Sequence, residues 1–180
     1  MAITLEEVAT RLKEKEVKFH HDTEKGLILF AAGNEETTQS NFIRTPEDGS
    51  LFKWQMQILD SEKDKITIKD HPHASVAITH MLSLNYGTKF GTWEYDPSDG
   101  DIRLAIEIPL EDAVMTDKQF SRVFGYMIDD GQDGADDIRH ILKTGEVPKD
   151  KSESNAEMIA KLEAMLEVLQ KYSSSDSDGI

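Results

Sequence analysis

Histidine and carboxylate are the side chains with which this sequence could do chemistry: it has 6 His, 35 Asp and Glu, and no Cys. The lack of cysteine removes disulfides, thiolate zinc sites and cysteine nucleophiles together. His71 and His73 lie two apart beside Asp70, a spacing that can chelate a metal in an extended segment, and His80 could approach from further along. A metal-dependent enzyme built on Asp70, His71 and His73, with acids of residues 129–137, is therefore the enzymatic alternative. The simpler reading of the same residues is a polar start to a helix, with Asp70 as its capping group. His20-His21-Asp22 supplies ligand types too. Adjacent residues of a strand point to opposite faces, however, so the two rings cannot easily share one ion.

Asp129-Asp-Gly-Gln-Asp-Gly-Ala-Asp-Asp137 invites a calcium loop. With Asp129 at the first position of an EF-hand, Gly131 falls where an acid is needed and His140 where a bidentate glutamate is required. The pattern fails at two ligands. A helix-to-helix turn, whose acids favour the N-terminus of the next helix, accounts for it better. Residues 96–101 fail in the same way and read as a hairpin loop. Neither a Gly-x-Ser-x-Gly elbow nor a phosphate-binding or dinucleotide glycine motif occurs. Paired carboxylates carry little information in so acidic a chain. Trp54, Trp93 and Tyr95 fall on strands and read as core residues. No catalytic, cofactor or metal residue is assigned on these grounds.

The elements that position these residues follow from periodicity. Thr4 and Glu7 form a capping box opening a helix over 4–15, with Leu5, Val8 and Leu12 on one face. Strands are expected over 17–21, 27–32 and 37–45. Pro46-Glu-Asp-Gly49 is a turn. Phe52, Trp54, Met56 and Ile58 alternate with polar residues, as in a half-buried antiparallel strand. Ile66 and Ile68 suggest one short strand more. Pro72, then Ala74, Ala77, Ile78, Met81 and Leu84, mark a central apolar helix ending at Asn85-Tyr86-Gly87. Residues 89–95 and 102–108 form a hairpin, with Ile102, Leu104, Ile106 and Ile108 on one face. Thr116 and Gln119 form a second capping box, followed by Phe120, Val123, Phe124, Met127 and Ile128 at helical spacing. A further helix over 136–143 stops at Gly145.

Beyond residue 148 the composition changes. Residues 149–154 read as a linker. Ser154 and Glu157 open a helix whose Ile159, Leu162, Leu166 and Leu169 form an apolar seam suited to its own domain, a second copy or a partner. Residues 173–180 have a disordered composition. Two parts are expected: an α+β domain over 1–148, and the linker, amphipathic helix and tail over 149–180. Helices and hairpins in this order argue an antiparallel sheet with helices packed on one side.

The net charge of −15 repels phosphate backbones and anionic lipid, so neither nucleic acid nor a membrane is an expected partner. The longest apolar run, 27–32, is far too short to span a bilayer. An acidic start without a basic and apolar leader, together with the missing cysteines, points to the cytoplasm.

Several short motifs in order resemble the YbjN-like family of bacterial proteins, proposed sensory transduction regulators. They are Asp70-His-Pro72, Leu84-Asn85-Tyr86, Lys89-Phe-Gly-Thr-Trp-Glu-Tyr95, Asp99-Gly-Asp-Ile-Arg103 and Ile108-Pro-Leu-Glu-Asp112. Their wording is most like the cyanobacterial members. The resemblance implies a fold similar to type III secretion chaperones: helix, three strands, helix, two strands, helices. It also implies a small acidic protein, often dimeric, that binds protein segments without catalysis. The function expected is a non-enzymatic, chaperone-like or regulatory interaction module. Its apolar helix and sheet surfaces would meet a protein partner or a second copy, with no cofactor.

Overall fold

Thr4 opens the first helix, α1 (Leu5–Glu14), as a complete capping box: its hydroxyl accepts from Glu7 N at 3.2 Å and its own N–H donates to Glu7 Oε2 at 2.8 Å. Val8, Ala9 and Leu12 form the buried stripe of that helix. The computed structural model describes residues 3–34 and 37–148. The chain divides into two units, Met1–Val147 and Pro148–Ile180. The linker, the seam of Ile159, Leu162, Leu166 and Leu169, and the tail expected after residue 148 lie outside the described residues.

Four strands then run as a meander: β1 (His20–Asp22), β2 (Leu27–Ala32), β3 (Gln39–Arg44) and β4 (Leu51–Ile58). The alternation in β4 is strict, with Phe52, Trp54, Met56 and Ile58 fully buried. After β4 come α2 (Ala74–Gly87) and the hairpin of β5 (Thr92–Tyr95) and β6 (Ile102–Pro109). β6 inserts beside β4, so the six strands lie in the order β1-β2-β3-β4-β6-β5, every pair antiparallel. The last helices, α3 (Asp117–Gly125) and α4 (Gly131–Thr144), are joined by a π-helical stretch, Tyr126–Asp130.

The core lies on one face of this sheet. Ile102, Leu104 and Ile106 of β6 are buried there with Phe120, Val123 and Met127, while Ile108 and Phe124 are partly buried. Each such side chain contributes roughly 1.5–3 kcal/mol. Trp54 stands at the centre, stacked on Phe120 and edge-on to Phe30 and Phe124. This is the expected α+β fold, an antiparallel sheet with its helices on one side, but with four strands rather than three between α1 and α2.

Three local expectations fail. Ile66 and Ile68 form no strand: this stretch pairs through two isolated bridges, Leu59 to Lys65 and Thr67 to Asp101, although Ile68 is fully buried. Asp70 does not cap α2, whose N-cap is His73 without a side-chain bond. The glycines of 129–137 mark no turn, because the chain stays helical throughout. They are there for close approach. A Cβ at Gly131 would sit 3.1 Å from Leu104 Cδ2, and one at Gly134 would sit 2.9 Å from Trp93 Cζ2.

Candidate interaction surface

The fold does not gather the described residues that suggested metal chemistry into one cluster. The rings of His71 and His73 lie 5.6 Å apart, and the His71 Nδ1 accepts the backbone N–H of His73 at 3.2 Å. His73 packs against Gly145, whose φ of 79° ends α4. Asp70 is exposed. His80 turns from both histidines to Asp137, with Nε2 to Oδ2 at 3.1 Å. His20 is exposed and His21 half-buried on neighbouring, oppositely directed positions of β1. Among the described residues, no group of three or more histidines and acids could hold a metal ion. None of the described helices is long and apolar enough to cross a membrane.

The unusual surface is α2. Its 14 residues contain no Asp, Glu, Lys or Arg, in a chain that is 31% charged. A helix so apolar is expected to be buried on most sides. Only Ala77 and Met81 are fully buried, while Ala74, Val76, Ile78 and Leu84 are partly covered. The outer face carries Ser75, Thr79, Leu82, Ser83 and Tyr86, with Leu82 63% and Tyr86 96% exposed. Charged residues elsewhere keep water on the surface; here no charge does. The periodicity of the sequence marks the inner face of this helix and misses Leu82 and Tyr86. The missing charges were legible in the sequence, but the exposure was not.

Two devices hold α2 in place. The His80–Asp137 contact joins it to α4, at side chains 13% and 28% exposed. The Asn85 side chain joins it to the sheet. Its Nδ2 donates to Trp93 O at 2.9 Å, and its Oδ1 accepts from Trp93 N at 2.7 Å. Asn85 thus stands where the next strand would pair with β5. It covers the outward backbone groups of Trp93 on an edge strand, where uncovered groups invite pairing with another chain.

Cavities flank this helix and the end of the sheet. One, of 410 Å³, lies between Ser75, Thr79, His80 and Val147. A second, of 540 Å³, lies between the end of α2, Phe90, Trp93 and the acids Asp130, Asp133 and Asp137. Phe90 and Tyr126 form its wall, with ring centroids 4.7 Å apart, and burial pushes the Tyr126 hydroxyl above its ordinary pKa. A third, of 570 Å³, lies beyond them against β6 and α3. The sheet's open face does not meet the expectation of an apolar surface. It presents Ser40, Lys53, Gln55, Gln57, Arg103 and Glu107, with Leu29 and Phe42 half-buried at one side. Arg103 is held charged mainly by its 2.6 Å bond to Glu94.

No family model matches the chain, and no curated protein does. Among solved structures, the crystal structure of YbjN from E. coli, a proposed transcription regulator, is similar with a TM-score of 0.50 at 10% sequence identity. The match covers 81% of this chain and 93% of that one. At such identity the likeness is one of fold, and it says nothing of shared residues. The six-stranded antiparallel sheet and its helices are therefore those of the YbjN-like fold.

Proposed function

We propose that the chain is a non-enzymatic interaction module, regulatory or chaperone-like, that binds a protein partner or a second copy of itself through the outer face of α2. The observation that carries this reading is the uncharged helix that leaves Leu82 and Tyr86 in water. Burying apolar surface of that kind is the main driving force of protein association, and large contiguous exposed apolar patches commonly mark such contacts. The motif resemblance to YbjN-like proteins, with wording closest to the cyanobacterial members, agrees with a regulator that acts by docking in the cytoplasm. The seam of Ile159, Leu162, Leu166 and Leu169 is a second candidate contact in the other unit.

The test is a double substitution, Leu82→Asp with Tyr86→Asp. Both side chains are exposed, so the melting temperature should stay close to that of the parent, within about 0.5 kcal/mol of stability per site. Proteins retained by the immobilised parent from a native extract should be lost by the variant. An unchanged set of retained proteins, from a variant that is still folded, would rule out the α2 face as the binding surface.

A further inference from the structure

We propose that the free edge of β6 at Glu107 is a second binding site, which takes an extended peptide with a basic residue between two apolar ones. It deepens the interaction reading but uses a surface separate from the outer face of α2.

β5 is half as long as its partner. Its four residues pair with Ile102 to Ala105, leaving the second half of β6 with β4 on one side and, among the described residues, no strand on the other. The backbone of an antiparallel strand offers its hydrogen-bonding groups alternately to the two sides. Leu110 N donates to Ser50 O at 2.7 Å, so positions 110, 108 and 106 face β4. Position 107 then faces outward. The Asn85 clamp on Trp93 supports the same parity, because in the β5 register Thr92 and Glu94 turn toward β6 and Trp93 turns away. The residue that would pair with Glu107 by continuing this register is Phe90. It has left the sheet to pack on Tyr126. That departure is built in: Gly91 has a φ of 80°, and a Cβ there would collide with the Tyr126 ring. The fold thus covers the outer edge of β5 and leaves the edge of β6 open.

The space so left is the 570 Å³ cavity, which wraps the strand edge from both faces of the sheet. Its helix side is lined by Ile106, Ile108, Met115 and Val123, together with the polar Gln119 and Arg122 of α3. Its open-face side carries two carboxylates, Glu94 and Glu107. Each pairs with a cation of the sheet through one oxygen, Glu107 with Lys53 and Glu94 with Arg103, and a carboxylate can accept at both of its oxygens. An added strand pairs its backbone with the edge and alternates its side chains between the two faces. A residue opposite Glu107 would exchange both backbone bonds with it and project beside its carboxylate. The two neighbours of that residue would project toward Ile106 and Ile108. Apolar, basic, apolar is the triplet that fits, and the chain's net charge of −15 favours the cation further. Pro109 has no N–H to offer, which limits the pairing to this short stretch.

The probe is an acetylated, amidated pentapeptide with valine–lysine–valine at its centre, titrated into the ¹⁵N-labelled full chain. Saturable binding is expected, with slowed hydrogen exchange at the Glu107 amide. N-methylation of the central residue should weaken binding by about tenfold or more, the effect of losing one buried hydrogen bond. Replacing the lysine by glutamate should also weaken binding, and Glu107→Lys should reverse that order. Leu82→Asp with Tyr86→Asp should leave peptide binding unchanged, so failure here and failure of the α2 reading are told apart. The proposal is overturned if no saturable binding occurs, if N-methylation has no effect, or if the Glu107 amide does not respond. Protection of that amide before peptide is added would also overturn it. Such protection, if concentration-dependent, would assign the edge to a second copy, and otherwise to the chain itself.

Discussion

Asn41 shows what one buried polar residue does in this core. It lies on the core face of β3 with no exposure, and its Oδ1 accepts the Trp54 Nε1–H at 2.9 Å. A tryptophan at the centre of a core needs such a partner, because its indole N–H loses water on folding. We expect Asn41→Leu to destabilise the domain despite adding apolar surface, by about 1–3 kcal/mol for the orphaned donor. Thermal melts followed by tryptophan fluorescence would show it, and an unchanged melting temperature would mean that the bond contributes nothing. Nearby, Gln39 donates to Gln132 at 2.7 Å, and Arg139 donates to Thr38 O at 2.7 Å and to Asp136 at 3.0 Å. Burial lowers the Arg139 pKa, against the pull of Asp136. These polar anchors were not legible in the sequence. Their types are common on surfaces, and only the sheet register shows that Gln39 and Asn41 share the face of Phe30 and Met56. The capping residues Thr4 and Thr116 were legible, because their partners lie only three positions away.

At the scale of elements, periodicity found each α-helix and most strands among the described residues, since a one-sided core imposes period two on strands and period 3.6 on helices. It misread the glycines of α4, because a glycine that breaks a helix and one that lets a helix approach a neighbour look alike in sequence. The structure makes the difference testable. Gly134→Ala should gain up to about 1 kcal/mol in helix propensity. It also places a methyl 2.9 Å from Trp93 Cζ2, in a residue whose backbone is already held by the Asn85 clamp. We expect a net loss of stability, larger for Gly134→Val. Gly87 ends α2 with nothing within 4 Å of where an added methyl would sit, so Gly87→Ala should be neutral or stabilising. Chemical denaturation of the three variants would decide it. A stabilised Gly134→Ala would show that α4 does not approach β5 as closely as described.

For the whole molecule, charge decides what the α2 face can meet. Two copies each carrying −15 repel one another at every distance not screened by salt. They associate most readily where few carboxylates are brought together, and α2, which carries none, supplies such a face. Repulsion between copies is screened beyond roughly 10 Å at about 0.1 M salt. Self-association through α2 should therefore strengthen as salt is raised, whereas binding of a basic partner to the acidic surface should weaken. Light scattering at low and high salt should show the average mass moving from one chain toward two. Leu82→Asp with Tyr86→Asp should hold it at one, since the substitutions remove apolar contact and add four carboxylates to a symmetric interface. Truncation after Lys151 removes the seam of Ile159, Leu162, Leu166 and Leu169 and leaves α2 untouched. If α2 carries the contact, the truncated chain still shows the salt-driven rise. A truncated chain that stays at one mass, beside a double variant that still pairs, would move the contact to the seam. If neither change affects a dimer that does form, both surfaces are excluded.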